Sequence, residues 1–478
     1  MIPLDFVAPP SPGQPAIEPR AAMDHPRLAV EEALGYWYGL INYEQRAPEV
    51  GDLKLERMQA LLAALGNPQQ RLRVVHVAGS KGKGSTSAML AAILRAAGYR
   101  TGLFTSPHLV RVEERFQVDG QAITPEELAD LVLEIREAAG IEGALHLTVS
   151  SRTPTFFEVA TAAGFLHFAR RRVEATVLEV GMGGRFDSTN VCDPAVALIT
   201  SISHDHTHLL GEQLASIAFE KAGILKAGRP AISGTTVPEA RAVIERVARE
   251  RGCRLRQLGV DFRYECQPGQ VTPVGLDKQR VRVITERRNW PKLGLNLLGQ
   301  HQAANAAVAV ACVEELIQQG WHLPDRAVRA GLAEVCWPAR LEVLGRQPLL
   351  VLDCAHNVAS AIALTETLRT SFPPGRRLLI FAGSGDKDLA GMFRALVPYF
   401  ERAFLTRYTT NPRGVPPVQL AELLRAAGPI PATLHDNPAA ALAAARVQAG
   451  TNDLICITGS VFLAGEMRPL LTTGPVDW

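Results

Sequence analysis

The 478-residue sequence lacks several features that would assign it to a large class of proteins. It has no excess of charge of one sign, because 50 Lys and Arg stand against 48 Asp and Glu. This balance argues against nucleic acid or a membrane surface as the main partner. No apolar run reaches the roughly 18 residues that a membrane helix needs. The N-terminus lacks a basic segment followed by an apolar core, so it is not a secretory signal.

Cysteine is scarce as well. The seven cysteines are scattered, odd in number and never spaced as C-x-x-C, which excludes a disulfide framework and a zinc knuckle. This pattern is typical of reduced thiols in a cytosolic chain. We therefore expect a cytoplasmic protein that binds neither nucleic acid nor membranes.

The residues that are present predict an α/β protein. The composition is 47% hydrophobic, and the length allows two or three domains. After a proline-rich leader, expected to be disordered over residues 1–27, short β-branched runs alternate with longer amphipathic ones. This alternation predicts a parallel sheet with helices on both faces. Residues 254–299 alternate at period two instead, which predicts a small antiparallel excursion.

A second series of strands and helices begins after Trp337-Pro338-Ala339, which has the composition of a hinge. We therefore predict one α/β domain over residues 28–337 and a second, Rossmann-like α/β domain over residues 338–478.

A glycine-rich turn follows the first predicted strand and precedes a helix-forming run; its sequence from position 79 is GSKGKGS. Glycines let backbone N–H groups approach phosphate oxygens, the following helix presents its N-terminus, and Lys83 adds a positive charge. The pattern departs from G-x-x-x-x-G-K-[ST], since Gly84 follows Lys83. The turn predicts a phosphate-binding loop, with a plain strand-to-helix turn as the alternative.

Polar side chains follow the next predicted strands, and the carboxyl ends of parallel strands share one edge of a sheet. Ser106 follows one strand, Glu179 ends another, and the run His204–His208 follows a third. A hydroxyl, a carboxylate and an imidazole, here His206, would suit Mg²⁺ beside phosphates. Zinc bound by the three histidines of the run is the rival interpretation. However, alternate positions on a loop point in different directions, and no cysteines accompany them.

Other polar residues have roles that the sequence leaves open. Lys221 lies in an amphipathic helix, where a solvated lysine is the ordinary interpretation. In the second domain Asp353 ends a strand and is followed by His356 and Asn357, while Arg340 follows the hinge. Asp353 and Arg340 could both reach across a cleft between the domains, or they could be ordinary surface polar residues.

The motifs together resemble those of one enzyme family. The similar stretches, in order, are AGSKGKGST, TSPHLVRVEERFQVDG, LEVGMGGRFDSTNV, HDHTHLLG with FEKAGILK, LGQHQAANA, WPARLE and LDCAHN. Their order and spacing are similar to folylpolyglutamate synthases of the bacterial dihydrofolate synthase/folylpolyglutamate synthase type, within the muramyl-ligase superfamily. The resemblance extends from about Leu34 to Gly459.

The resemblance implies an ATP-binding muramyl-ligase-type central domain and a C-terminal glutamate-ligase domain. It implies a ligase that adds L-glutamate to the carboxylate of dihydropteroate and of reduced folates through an acyl phosphate, giving ADP and phosphate. Members of the family are usually monomers.

The resemblance also implies roles for individual residues. ATP would be bound by Gly82, Lys83, Gly84, Ser85, Asn305, Arg340 and Asp353. Mg²⁺, as one ion or two, would be bound by Ser106, Glu179 and His206, which explains why the loop need not end in Lys-Ser. The pterin would contact Thr155, Phe156, Phe157, Glu158, Phe186, Asp187 and Ser188. Lys83, Lys221, His206 and Arg340 would be catalytic, with Lys221 carbamylated as in the family. His356 and Asn357 would lie on the glutamate side.

The chain departs from the family pattern at two places near these residues. Ser80-Lys81 occupies positions where bacterial members commonly have Thr-Asn, so Lys81 adds charge beside the nucleotide. Cys354 occupies a place where Gly or Val is usual. Neither departure removes a residue that the chemistry needs.

Two other functions are compatible with the sequence. One is a muramyl-ligase-type enzyme that joins an amino acid to a different carboxylate, although Thr155–Glu158 and Ser106–His108 fit the folate branch better. The other is a P-loop ATPase switch with a protein partner, which would turn over ATP without any amino acid.

Overall fold

The computed structural model describes residues 26–44, 54–140, 153–204, 210–272 and 274–472. Within these ranges the chain forms two large sheets flanked by helices and two small antiparallel pieces. Most of the predicted leader lies outside the described residues, although its last two positions begin the first helix at Pro26. No helix in these ranges is long and apolar enough to cross a membrane.

The larger sheet consists of the first eight strands of the chain. They are β1 (Val74–Ala78), β2 (Thr101–Phe104), β3 (Phe116–Val118), β4 (Gln121–Ala122), β5 (Ala175–Glu179), β6 (Pro194–Ile199), β7 (Ala231–Ser233) and β8 (Leu255–Gln257). Their order is β4-β3-β2-β5-β1-β6-β7-β8. The strands from β2 to β8 in this order pair in parallel, and β3 and β4 add an antiparallel edge. The central strands β1 and β5 are buried along their whole length, which explains their continuous apolar sequence.

Helices cover both faces of this sheet, as predicted. They are α1 (Pro26–Tyr38), α2 (Leu55–Ala64), α3 (Lys83–Ala96), α4 (Pro125–Ala138), α5 (Phe156–Arg170), α6 (Leu214–Ala222), α7 (Pro238–Glu250), α8 (Gln300–Gln318) and α9 (Asp325–Glu334). One face packs against α3, α8 and α9, and the other against α1, α2, α4 and α5 with α6 and α7 beyond them. Successive strand residues point to opposite faces, so Val75 and Val77 of β1 belong to the first core while Val74 belongs to the second.

The antiparallel excursion is present, but it begins later than the sequence pattern indicates. Its strands are β9 (Phe262–Gln267), β10 (Gln270–Thr272), β11 (Gly275–Asp277), β12 (Gln279–Thr285) and β13 (Asn289–Leu295). They form the sheet β13-β12-β9 and the hairpin β10-β11. The prediction was wrong for β8, which pairs in parallel with β7 at the edge of the large sheet. β8 has only three residues, and Leu255 and Arg256 are both half-buried, so this short stretch does not carry enough pattern to distinguish parallel from antiparallel pairing.

The second sheet has six strands. They are β14 (Glu342–Arg346), β15 (Leu349–Leu352), β16 (Arg377–Phe381), β17 (Arg402–Leu405), β18 (Ala432–Leu434) and β19 (Leu454–Thr458), in the order β14-β15-β19-β16-β17-β18. The helices around it are α10 (Val358–Ser371), α11 (Leu389–Leu396), α12 (Pro417–Ala427), α13 (Pro438–Gln448) and α14 (Val461–Leu471). The sequence predicts β15, β16, β17 and β19, which are parallel neighbours, but not the short edge strand β18 or the antiparallel β14.

The α3–α9 contact positions the segment that leads to the second sheet. Gly331 of α9 packs so closely on α3 that a Cβ atom there would lie 2.5 Å from the backbone N and Cα of Ile93. Backbone atoms inside a helix cannot move aside individually. Glycine is therefore required at this crossing.

We expect Gly331→Ala to lower the free energy of unfolding by about 1–3 kcal/mol, because the added methyl group overpacks the crossing. Gly35→Ala is the matched control, since Gly35 lies inside α1 and an added methyl group there would have no described atom within 4 Å outside the backbone of its own helix and its chain neighbours. There the same change should be neutral or stabilising by about 0.5–1 kcal/mol. Urea unfolding, followed by tryptophan fluorescence, measures the free energy of unfolding of both variants. Equal effects would contradict the claim that the α3–α9 crossing requires glycine at position 331.

Candidate active site

The glycine-rich turn connects β1 to α3, as the sequence predicts. Gly82 has a φ of +83°, and a Cβ atom there would lie 2.3 Å from Oδ1 of Asn305. Only glycine satisfies both conditions. The N–H of Ser80 donates to the carbonyl of Ser201 at 2.7 Å, and its Oγ donates to the carbonyl of Ser203 at 3.0 Å. The turn is therefore held against the carboxyl end of β6.

Side chains of α8 support the turn from the other side. Nδ2 of Asn305 donates to Oε1 of Gln302 at 3.1 Å, and Nε2 of Gln302 donates to Oγ of Ser85 at 3.2 Å. Three of the residues predicted to bind ATP, Gly82, Ser85 and Asn305, thus lie within one connected group. Gln302 joins them and received no role from the sequence, although it lies within the motif LGQHQAANA.

The carboxylate of Glu179 lies at the end of β5, beside the turn. The N–H of Ser106 donates to its Oε2 at 3.2 Å, and the residue is only 4% exposed. Burial raises the pKa of the Glu179 carboxyl above its usual value, while the ammonium of Lys83 is the largest opposing influence. Two of the three predicted metal ligands are therefore neighbours. His206, the third, lies outside the described residues, as do Asp205 and His208.

Lys221 is buried, and the solvated interpretation of this residue was wrong. It lies in the last turn of α6 and is 3% exposed. The turn that follows β5 packs on this end of the helix, where a Cβ atom at Gly184 would lie 3.0 Å from Cα of Lys221. The N–H of Arg185 also donates to the carbonyl of Glu220 at 2.8 Å. An amphipathic sequence cannot reveal that the polar end of α6 is covered by a loop from a distant strand.

Arg340 lies in a strained turn that begins the second sheet. Its neighbours Ala339 and Leu341 have φ values of +53° and +50°, which are uncommon for residues other than glycine. Asp353 stabilises this turn, because its carboxylate accepts the N–H of Leu341 at 3.0 Å and that of Ala355 at 2.7 Å. Burial raises the pKa of the Asp353 carboxyl, and Arg340 opposes this shift most strongly. The two predicted residues therefore lie together at the carboxyl end of β15.

A second carboxylate, that of Glu342, holds the same turn and was missed by the sequence analysis. Its Oε2 accepts the N–H of Ala339 at 2.9 Å, and its Oε1 pairs with Nη2 of Arg468 in α14 at 2.8 Å. Arg468 is 7% exposed. Glu342 ends the motif WPARLE, but Arg468 lies 126 positions away and outside the quoted motifs, so nothing in the sequence could have joined the two.

Two contacts bring the edge of the second sheet to the glycine-rich turn. Nζ of Lys81 lies 3.1 Å from Nε2 of His356, which follows β15. The ring of Trp337 packs on Gly84, where a Cβ atom would lie 3.1 Å from ring atoms. Arg340 is also close enough to influence the charge of Glu179. The predicted cleft is thus lined by charged residues from both sheets.

Most side chains of the segment predicted to bind the pterin make contacts that stabilise the fold. Thr155 caps α5 and forms a capping box with Glu158, whose carboxylate also pairs with Nε of Arg57 at 2.6 Å. Phe156 stacks on Trp37 with ring centroids 4.8 Å apart. Phe157 differs from these residues because it is partly exposed and packs over the turn after β5.

The other predicted pterin residues lie in the turn after β5. Asp187 is buried and accepts N–H groups of Met182 at 2.9 Å and Thr189 at 3.0 Å, so its carboxylate shapes the turn. Phe186 is 40% exposed, and Ser188 is half-buried beside it. The Phe186 ring is partly covered by the guanidinium of Arg185, whose Cζ lies 4.8 Å from the ring centroid.

A buried guanidinium lies near Ser106 and was not predicted. Arg115 is fully buried and binds the carboxylate of Glu44 with two hydrogen bonds of 2.8 and 2.7 Å. Its Nε donates to Nδ1 of His108 at 3.0 Å. Because Nδ1 accepts this bond, the neutral His108 ring carries its proton on Nε2. This network connects the loop after β2 to the end of the described N-terminal segment.

The arrangement can bind and transfer anionic groups. Backbone N–H groups at the start of α3, together with Lys81, Lys83 and Arg340, provide a positive environment for phosphates. Glu179 and the hydroxyl of Ser106 are hard oxygen ligands that fit a small divalent cation.

Two family models match the chain. The Mur ligase middle domain matches residues 77–313, and the glutamate ligase domain of Mur ligases matches residues 339–461.

Curated relatives match nearly the whole chain. It is 34% identical over 427 residues to the dihydrofolate synthase/folylpolyglutamate synthase of Bacillus subtilis, which covers 87% of this chain and 94% of that protein. It is 37% identical over 467 residues to the protein of the same description from Mycobacterium tuberculosis, with 90% and 93% covered.

Solved structures have the same fold. Escherichia coli FolC in complex with DHPP and ADP aligns with a TM-score of 0.80 at 31% identity, covering 92% of this chain and 97% of that one. The bifunctional Yersinia pestis enzyme complexed with AMPPNP and Mn ion aligns with a TM-score of 0.77 at 30% identity, covering 92% and 98%. The predicted fold class is therefore confirmed.

We expect Glu342→Ala to lower the free energy of unfolding by about 2–3 kcal/mol, because it leaves the buried Arg468 unpaired and the Ala339 N–H unbound. Glu366→Ala is the matched control, since Glu366 forms an exposed ion pair with Arg369 at 2.7 Å. That change should have almost no effect. Chemical denaturation measures the free energy of unfolding of both variants. Equal losses of stability would contradict the role of Glu342.

Proposed function

This chain belongs to the dihydrofolate synthase/folylpolyglutamate synthase family, and from that premise we propose how it joins L-glutamate to folates with ATP. The chain is an ATP-dependent ligase. The proposed acceptors are the carboxylate of dihydropteroate and that of reduced folates, which are extended as γ-glutamates. The products are the lengthened folate, ADP and phosphate.

The observation that carries the mechanism is the meeting of two half-sites. The glycine-rich turn, Lys83 and Glu179 come from the large sheet, whereas Arg340, Asp353 and His356 come from the second sheet. Such a split suits a reaction with several anionic substrates, because the two halves can bind different substrates before these are brought together.

A carboxylate is a poor acceptor for an amine, so its oxygen must first be made a leaving group. We propose that the folate carboxylate attacks the γ-phosphorus of ATP and that ADP departs, giving an acyl phosphate. The glutamate amine, after losing a proton, attacks the acyl carbon, and the tetrahedral intermediate expels phosphate. Lys83 and Arg340 spread the negative charge and align the reacting groups.

Exclusion of water is the second requirement, because an acyl phosphate hydrolyses readily. The two-sheet arrangement supports closure of the cleft over the reacting groups, with Trp337–Ala339 as the proposed hinge. The carboxylates of Glu342 and Asp353 accept backbone N–H groups of Ala339 and Leu341, next to this hinge. They would thereby keep the Arg340 side chain directed toward the reacting groups.

The residues present fit a divalent cation, which we propose is Mg²⁺. Glu179 and Ser106 would hold it, with His206 as the further proposed ligand. When bound, such an ion neutralises charge on the phosphates and orients them. The burial of Glu179 supports this role, since a desolvated carboxylate gains from a bound cation. Lys221 is the proposed carbamylated lysine, and its buried position in the last turn of α6, against the turn that follows β5, supports a role inside the site.

For the pterin we propose Phe157 and Phe186 as the residues that contact the ring. They are the aromatic residues of the predicted set that retain exposure, whereas Thr155, Phe156, Glu158 and Asp187 would act by shaping the walls. We also propose that the enzyme works as a cytoplasmic monomer.

The function predicts phosphate release that depends on two substrates besides ATP. With ATP, Mg²⁺ and glutamate, we expect turnover with dihydropteroate and with tetrahydrofolate and none without a pterin. Phosphate release is the measurement, and Lys83→Ala should abolish it while the exposed-site control Lys292→Ala should not. ATP turnover without an amino acid would instead indicate an ATPase switch. Turnover only with a muramyl peptide would indicate a different ligase.

The metal assignment predicts a loss that can be measured without turnover. In the wild-type protein, Mg²⁺ added with a non-hydrolysable ATP analogue should raise the melting temperature. We expect Glu179→Gln to abolish the Mg²⁺-dependent part of this shift, because the neutral amide is a weak ligand. Glu314→Gln is the control, since Glu314 is buried but accepts from Trp290 Nε1 at 2.7 Å, away from the turn. A Glu179→Gln protein that retains the full Mg²⁺ shift would exclude Glu179 as a ligand.

A further inference from the structure

Lys81 joins the glycine-rich turn to the second sheet directly. Its Nζ lies 3.1 Å from Nε2 of His356, although the two residues are 275 positions apart. Lys81 is also one of the two places at which the chain departs from the family pattern. A chain with Asn at this position, which is shorter and uncharged, could not make the contact from the same backbone.

The backbone of Lys81 is fixed, so that its side chain has a defined origin. Its N–H donates to Oγ of Ser201 at 3.2 Å. Its carbonyl accepts from Oγ1 of Thr200 at 2.6 Å and from Oγ of Ser201 at 3.0 Å. Both partners follow β6 in the large sheet. Movement of the turn would therefore be transmitted through Lys81 to whatever its ammonium contacts.

The hydrogen bonds of His356 define its protonation. Nδ1 lies 2.9 Å from the carbonyl oxygen of Cys354, and a carbonyl can only accept, so Nδ1 carries the proton. Nε2 faces the Lys81 ammonium, which can only donate, so Nε2 must present its lone pair. His356 is thus neutral and fixed in one tautomer. Its N–H also donates to Oγ of Ser360 at the start of α10.

The second departure from the family pattern, Cys354, lies in the same group. Its carbonyl holds the His356 ring, and its thiol contacts Nη1 of Arg340. Burial raises the pKa of the Cys354 thiol to about 11, so the thiol is uncharged at neutral pH. Lys81, His356, Cys354 and Arg340 therefore form a continuous chain from the glycine-rich turn to the residue proposed to align the phosphoryl group.

We propose that Lys81 is a positioning residue that ties the glycine-rich turn to the glutamate side of the site by holding His356 in its neutral, Nδ1-protonated form. The inference rests on the proposed function for its consequence, and it takes His356 to lie on the glutamate side of the site, as the family resemblance implies. Lys81 acts through His356, so its loss should affect glutamate more than ATP. A lysine that served only the phosphates would show the opposite pattern.

A double-mutant cycle tests this coupling. We expect Lys81→Met to raise the KM for glutamate about tenfold, as for loss of a charge-assisted hydrogen bond, with smaller changes in kcat and in the KM for ATP. In a His356→Ala background the same change should alter the KM for glutamate by less than about twofold. Lys81→Arg should restore part of the loss, because a guanidinium also donates. Lys292→Met, on the exposed surface of β13, is the matched control.

Two kinetic results would overturn the proposal. One is an equal effect of Lys81→Met in both backgrounds, since independent residues give multiplicative effects. The other is a rise in the KM for ATP with an unchanged KM for glutamate.

Amide hydrogen exchange provides a readout that needs no turnover. In Lys81→Met, peptides that cover residues 354–360 should exchange faster than in the wild-type protein and in Lys292→Met, because the ring of His356 loses its contact with the Lys81 ammonium. Unchanged exchange would show that the Lys81 side chain does not hold His356 and would overturn the proposal. If the wild-type protein released no phosphate in response to glutamate, the proposed function would fail, while the exchange experiment would still decide whether Lys81 holds His356.

Discussion

The buried carboxylate of Glu179 imposes the constraint on which the whole site depends. Its burial disfavours the ionised form, and the largest compensation comes from Lys83 in the large sheet. The Ser106 N–H and then Arg340, which belongs to the second sheet, add to this compensation. A charge in such surroundings is tolerated only with nearby cations and hydrogen-bond donors. The glycine-rich turn, the loop after β2 and the linker must therefore converge on one point.

The linker between α9 and β14, residues 335–341, brings Arg340 to this point through a strained backbone. Ala339 and Leu341 adopt positive φ values on either side of Arg340, and each is held by a carboxylate, from Glu342 and Asp353 respectively. Strained backbone persists only where the surrounding contacts determine it. Here the contacts belong to the second sheet, so the direction of Arg340 follows the position of that sheet. The two half-sites are thereby connected through a backbone segment as well as through Lys81 and His356.

Local patterns were sufficient for the fold and for much of the candidate site. Continuous apolar strands, the glycine-rich turn and the polar residues that follow each strand predict the parallel sheet, and they place Glu179 and Ser106 near Lys83. These signals are short-range in sequence, and topology alone brings them together. The motif resemblance added Asn305, Arg340 and Asp353, whose chemistry is not evident from spacing.

The rest of the site depends on long-range packing that leaves no local pattern. The pairs Glu342–Arg468 and Arg115–Glu44 join charged residues that are 126 and 71 positions apart in the sequence. The burial of Lys221 results from a loop that covers the end of its helix. Similarly, the three residues of β8 are too few for their pattern to reveal the parallel pairing with β7. Thr155 and Glu158 belong to a family motif, yet their side chains form a capping box, so a motif can mark a helix start as well as a ligand.

The central claim is that one divalent ion is held at the carboxyl edge of the large sheet, beside the glycine-rich turn. Crystals grown with Mn²⁺ and a non-hydrolysable ATP analogue would test it by anomalous scattering at the manganese edge. We predict one strong peak within coordination distance of the Glu179 carboxylate and the Ser106 hydroxyl, in contact with the phosphates. A peak elsewhere, with Glu179 still turned toward the Ser106 N–H and no metal beside it, would contradict the claim.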